Sequence, residues 1–156
     1  MIRIYVDADG CPVKNEIYKV AKRYRLDVSV VANSHMRIPD DELVQLEVVN
    51  GQFDAADDWI VERVKETDIV VTSDILLAAR CVEKRSRVLD PKGRVFTENS
   101  IGNAVANREL AGYLRDMGEI SGGPAPFQQR DRSVFLQRLD DLVQAVMKAE
   151  RNANES

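Results

Sequence analysis

The stretch Ile2-Arg3-Ile4-Tyr5-Val6-Asp7-Ala8-Asp9-Gly10-Cys11-Pro12 decides the fold. Ile2–Val6 is apolar and rich in β-branched and aromatic side chains, which reads as a strand. Two aspartates and a glycine end it. Pro12 then opens a predicted helix to about Arg25, in which Ile17, Val20, Ala21 and Tyr24 recur at spacings of three and four.

The alternation repeats outward from there. Val28–Ala32 is a second predicted strand, closed by Asn33-Ser34, and Val44–Val49 a third, closed by Asn50-Gly51. Asp54 caps a predicted helix to about Lys65, whose inward stripe is Ala56, Trp59, Ile60 and Val64. Ile69–Val71 is a fourth strand, Asp74–Lys84 a helix and Arg87–Leu89 a short fifth strand. Short strands that are apolar throughout belong at the centre of a parallel sheet covered on both faces. Right-handed crossovers leave few topologies. The expected fold is a three-layer α/β domain with strand order 3-2-1-4-5 and its switch point between strands one and four.

The last third reads differently. Asn99–Asp116 is a long predicted helix, Ser121–Pro126 a rigid loop, and Ser133 the cap of a final amphipathic helix carrying Phe135, Leu136, Leu139, Leu142, Val143 and Val146. Residues 1–151 are read as one domain and 152–156 as a frayed tail.

Composition narrows the chemistry. With 156 residues the chain can bury a real core, and 44% hydrophobic with 31% charged residues argues against disorder. No apolar run reaches the roughly 20 residues needed to span a bilayer, so no membrane partner is expected. The first residues have a strand pattern instead of a signal peptide, which points to the cytoplasm. Two cysteines, Cys11 and Cys81, make no disulfide framework, and one histidine, His35, cannot build a nitrogen and sulfur zinc site. A bound metal would need oxygen ligands, which favours Mg²⁺ or Mn²⁺. The net charge of −4 argues against a broad basic nucleic-acid face, so nucleic-acid contact would be local and metal-assisted. Oligomeric state is left open.

Three acidic sites fall at equivalent places. Asp7 and Asp9 end strand one, Asp54, Asp57 and Asp58 open the helix after strand three, and Asp74 follows strand four. All lie on the carboxyl edge of the expected sheet, where open α/β sheets bind ligands. Clustered carboxylates repel and raise one another's pKa, a cost that a divalent cation removes. Such an ion polarises phosphoryl oxygens and makes water more acidic, which is the route to phosphoester chemistry. The structural alternatives are specific. Asp54 and Asp74 serve equally as helix caps, and Asp57 and Asp58 suit a first turn where the dipole favours acids.

Candidate phosphate binders share the edge: Lys14 at a helix start, Asn33 after strand two and Ser73 after strand four. Arg130 and Arg132 follow the Gly-Gly-Pro loop and could clamp a phosphate, though Arg132 equally suits an ion pair with Asp131 or a carboxylate elsewhere. Asn99, Asn103 and Asn107 read as a solvated helix face, and Cys11 as a small packing residue.

The motifs Val6-Asp7-Ala8-Asp9-Gly10-Cys11-Pro12, Phe53-Asp54-Ala55-Ala56-Asp57, Thr72-Ser73-Asp74-Ile75, and Gly122-Gly123-Pro124 with Gln129-Arg130-Asp131-Arg132 occur in that order over nearly the whole chain. They resemble the YaiI/YqxD family of uncharacterised bacterial proteins, which is similar to the PIN-like nuclease superfamily. The resemblance implies a PIN-like fold and metal-dependent nuclease ancestry, with single-stranded RNA or DNA as substrate. Asp7, Asp57 and Asp74 would be its core acids and Asp9 and Asp54 supporting ligands; Asp58 matches less clearly.

Two other readings compete. Ile4–Gly10 also resembles the D-x-D-G start of haloacid-dehalogenase-type phosphatases, with Asp7 as nucleophile and Asp9 as acid/base. The early helix leaves no room for the flap of that class, and Asp90 beside Pro91 lacks a second acid. The third reading is a non-catalytic module that binds metal or nucleic acid.

Overall fold

A computed structural model describes residues 1–51, 54–119 and 125–155. Phe53 of the second motif, Ser121–Pro124 of the expected rigid loop and Ser156 lie outside the described residues. The order of elements is β1 (Arg3–Asp7), α1 (Lys14–Tyr24), β2 (Asp27–Ala32), β3 (Val44–Val48), α2 (Ala55–Arg63), β4 (Ile69–Val71), α3 (Ile75–Glu83), β5 (Arg87–Leu89), β6 (Val95–Phe96), α4 (Glu98–Asp116) and α5 (Gln129–Glu155).

The sheet order is β3-β2-β1-β4-β5-β6. The first five strands are parallel and in the expected order; β6 is an addition, paired antiparallel to β5. Asp90 builds the hairpin between them, its Oδ1 accepting from the Lys92 and Arg94 amides at 3.0 and 2.9 Å. A two-residue strand has too little pattern to be read from its sequence.

Side-chain parity along the strands sorts the core into two layers. Ile4, Val6, Val28, Val30, Ile69, Val71 and Leu89 pack against Ile17 and Val20 of α1 and Phe135, Leu139 and Val143 of α5. Tyr5, Val31, Val70 and Val88 face Ala56 and Ile60 of α2, Leu77 and Cys81 of α3, and Ile101 of α4. Handedness explains the assignment. The chain steps one way from β1 through β2 to β3, so α1 and the 33–43 connection, with Met36 and Ile38, cover one face. It steps the other way from β3 to β4 to β5, and right-handed crossovers then place α2 and α3 on the opposite face. Helix N-termini from both directions therefore meet above the β1–β4 boundary.

Two expectations for the last helix are corrected. Helix α5 starts at Gln129, so Ser133 lies inside it and is no cap. The start is held by Asp131, whose carboxylate accepts the Gln128 amide at 2.8 Å from the third helical position. Residues 152–155, expected as a frayed tail, are the exposed last turn of α5. The helix passes so close to the hairpin that a Cβ on Gly93 (φ +88°) would sit 3.1 Å from Val134 Cγ1 and 3.3 Å from Phe135 Cα. Among the described residues no helix is long and apolar enough to cross a membrane.

Candidate active site

Alternation along β1 sends Ile4 and Val6 to the α1–α5 face, and hence Tyr5 and Asp7 to the α2–α3 face. Asp7 therefore leaves the sheet between the starts of the two helices that carry the other acids. After it, Ala8–Cys11 forms a turn closed by Cys11 N–H donating to the Ala8 carbonyl at 3.1 Å, with Gly10 at φ +75° in the third position. That conformation favours glycine.

A cleft of about 530 Å³ opens on this edge, lined by Asp7, Asp9, Asp54, Asp57 and Asp74 together with Asn33, Val49, Gly51, Ala56 and Ser73. Five of the six acids singled out from the sequence thus line one cavity. Asp58 does not; it turns outward to pair with Arg80 at 2.8 Å.

Each acid is held differently. The Asp7 carboxylate accepts from Thr72 Oγ1 at 2.7 Å, and that same oxygen accepts the Asp74 amide at 3.0 Å. Thr72, buried at the end of β4, fastens the two strands' acids together. Thr72 is not among the site residues expected from the sequence, although it stands in the Thr72-Ser73-Asp74-Ile75 motif, and Val70-Val71-Thr72-Ser73 also resembles a phosphate-binding motif of the phosphatase reading. Asp74 is the helix cap that the sequence allowed: its Oδ1 accepts the Leu76 and Leu77 amides at 2.9 and 3.3 Å. Its position in the cleft shows that capping and lining are compatible. Asp9 accepts the Asn33 amide at 3.0 Å, fixing the β2 exit beside the β1 exit. Asp54 stands at the start of α2 with a left-handed backbone (φ 72°) and makes no capping bond, so the expected cap is not formed and its side chain is left to the cleft.

Burial and crowding shift these acids upward. Asp57 is pushed up to about 7, by desolvation first and then by the charges of Asp74, Asp7 and Asp54, with a carboxyl–carboxyl hydrogen bond to Asp74 adding to the shift. Asp7 is raised by burial, opposed by the Thr72 hydrogen bond and reinforced by Asp74 and Asp9. Near neutral pH the group holds a proton that a cation would displace. Behind it, burial drives the Cys81 thiol up to about 12. Cys11 is raised by burial too, so both thiols are packing residues.

The donor set suits a hard cation. Among the described residues no three metal-ligating side chains converge on one point, so no closed protein cage exists. Magnesium characteristically takes one or two carboxylates and completes its shell with water and substrate oxygens. An open cleft whose charged lining residues are all carboxylates fits that habit and does not fit zinc.

The basic candidates separate from the acids. Asn33 and Ser73 line the cleft. Lys14 Nζ instead donates to the Cys11 and Ala8 carbonyls at 2.9 and 3.4 Å, tying down the β1–α1 turn. Arg132 donates to the Pro12 carbonyl and pairs with Glu16 at 3.0 Å, a strut between α5 and α1. Its partner is the carboxylate elsewhere that the sequence allowed, not Asp131. Arg130 is exposed on the first turn of α5, and Asn99, Asn103 and Asn107 are exposed along α4.

The molecule is thus a doubly wound, mostly parallel α/β protein with an acidic cleft at its switch point. The chain belongs to the YaiI/YqxD family, an uncharacterised family whose model matches residues 5–145. It is similar to the UPF0178 protein of Nitrobacter winogradskyi, 52% identical over 148 residues that cover 95% of this chain and 94% of the relative. The UPF0178 protein of Rhodospirillum centenum is 53% identical over 150 residues, covering 94% and 97%. That of Rhodopseudomonas palustris strain BisB18 is 51% identical over 151 residues, covering 97% of each. No solved structure matches the chain significantly.

Proposed function

We propose that this protein is a cytoplasmic, divalent-metal-dependent, PIN-like hydrolase that cuts phosphodiesters of single-stranded RNA or DNA. The observation that carries the reading is the meeting of Asp7, Asp57 and Asp74, from three separate segments, in one cleft where Asp57 is pushed up to about 7. Bound Mg²⁺ or Mn²⁺ would neutralise the developing phosphoryl charge and make water more acidic. Asp7 and Asp74, braced by Thr72 and the α3 amides, are the fixed ligands. Asp57 is the group able to hold or release a proton near neutral pH. Asp9 and Asp54 add charge at the rim, and Asn33 and Ser73 offer hydrogen bonds to phosphate oxygens.

The phosphatase alternative needs Asp7 as nucleophile and Asp9 as acid/base, and has no use for Asp57. Asp9 is tethered sideways to Asn33, and the short Ala8–Val13 link leaves no flap over the site. One protein, two substrates and three variants separate the readings. Mn²⁺-dependent cutting of a single-stranded oligonucleotide, abolished in Asp7→Asn, Asp57→Asn and Asp74→Asn, supports the hydrolase. Hydrolysis of a simple aryl phosphate monoester with beryllofluoride inhibition, and no cutting of nucleic acid, would sink it. Silence on both with metal binding intact would leave a non-catalytic binding module.

A further inference from the structure

Beside the acid cleft lies a second groove, of about 540 Å³, lined by Ser73, by Asp90, Lys92 and Arg94 along the hairpin, and by Ala125 and Phe127. Ser73 belongs to both cavities, so they share a wall. Their chemistry differs. The cleft carries five carboxylates and no cation among its described lining residues; the groove is walled by Pro12, Ile75, Pro91 and Phe127 and carries two cations against one carboxylate, Asp90.

The aromatic wall is held in place before any ligand arrives. The Arg132 guanidinium lies 5.0 Å from the Phe127 ring centroid, and Arg132 is itself anchored to Pro12 and Glu16. Lys92 Nζ donates to the Ala125 carbonyl at 2.8 Å, which uses one of its three donor hydrogens. Arg94 is tethered to Asp90 at 3.4 Å with its side chain 57% exposed. A fixed aromatic ring and two restrained cations sit within one groove of nucleotide size.

We propose that this groove takes one nucleobase, stacked on Phe127, of a single-stranded nucleic acid, with Lys92 and Arg94 on its flanking phosphate and the neighbouring phosphodiester in the acid cleft. The proposal rests on the hydrolase reading for the direction of the strand. The occupant must be flat and apolar in the middle, anionic at the Lys92 end and phosphorylated at the Ser73 end. A single-stranded nucleotide unit meets all three requirements. A base paired inside a duplex cannot enter.

The test uses fluorescence anisotropy with a labelled phosphorothioate oligothymidine of about eight nucleotides, its abasic counterpart and its duplex, in Mg²⁺. The expected result is roughly tenfold tighter binding of the base-bearing single strand than of the abasic strand or the duplex. Ala125→Trp, at an exposed rim position, fills the groove and should erase the preference for bases. Lys92→Glu should weaken both single strands about equally. A preference that is absent in the wild type, or that survives Ala125→Trp, overturns the groove whatever the cutting assay shows. Base preference with no Mn²⁺-dependent cutting would instead remove the hydrolase reading and leave the groove as a binding site.

Discussion

Asp57→Asn is the sharpest perturbation of the acidic cleft. In the folded protein the Asp57 carboxyl is pushed from 3.8 up to about 7. In the unfolded chain it titrates near 3.9. Between about pH 4 and 7 the folded state therefore holds a proton that the unfolded state has released, and stability of the metal-free protein falls as pH rises through that window. A shift of about three units corresponds to about 4 kcal/mol undamped. Asp57 is only half-buried, so solvent screening reduces this to ~1–2 kcal/mol. Asparagine keeps the shape and cannot ionise. In chelator at pH 8, Asp57→Asn should be more stable than wild type by that amount, a rise in Tm of roughly 3–6 °C for a chain of this length. At pH 4 the two should melt together. Saturating Mn²⁺ at pH 8 should reverse the order, because only the wild type then retains the full carboxylate set. Thermal melts followed by circular dichroism at the two pH values, with and without Mn²⁺, measure all of this. A variant equal to or less stable than wild type at pH 8 in chelator would refute the crowding argument.

Three further outcomes follow from the geometry. Mn²⁺ at a hundredfold excess over its Kd should stabilise the wild type by about 2.7 kcal/mol, and Asp7→Asn should lose most of that gain; an unchanged wild-type Tm under saturating Mn²⁺ would count against any metal in the cleft. Arg132→Ala should lower the free energy of urea unfolding by about 2 kcal/mol, since it removes the strut to Pro12 and leaves Glu16 without its cation, while Arg130→Ala should stay within about 0.5 kcal/mol. Thr72→Val should cost about 1–2 kcal/mol in the same assay, because the Asp74 amide loses its acceptor and Asp7 its donor, and Thr72→Ser should recover most of it.

Much of this was legible in the sequence, for a local reason. Strand and helix periodicity depends on residues a few positions apart, so β4 and β5 fall on the expected residues and β1 to β3 within a residue or two. The handedness of crossovers then converts that alternation into the strand order, which differs only by the added β6. Given that order, every β–α turn lies on one edge, so the acids that close strands and open helices gather there. What failed locally was short or masked by helix formers: the two-residue β6, and the start of α5, where Gln129-Arg130-Asp131-Arg132 continues the helix ahead of Ser133.

The tertiary structure decided what each charged side chain does, because partners are chosen by proximity in space. Lys14 and Arg132 look like phosphate ligands in the sequence, yet one binds carbonyls of its own turn and the other reaches Glu16, 116 positions away. Thr72 acquires its role only from Asp7, 65 positions earlier, and Asp57 acquires its raised pKa from burial first and then from the carboxylates packed around it, Asp74 and Asp7 of other segments among them. Helix propensity could equally have left Asp54 and Asp74 as caps alone; the left-handed backbone at Asp54 and the shared cleft settle where their side chains lie. The sequence by itself determined which edge of the sheet is acidic, because chain direction and crossover handedness are local and chiral. Only the folded packing determined that five of those acids share one cavity, since side-chain convergence depends on distances that no spacing along the chain encodes.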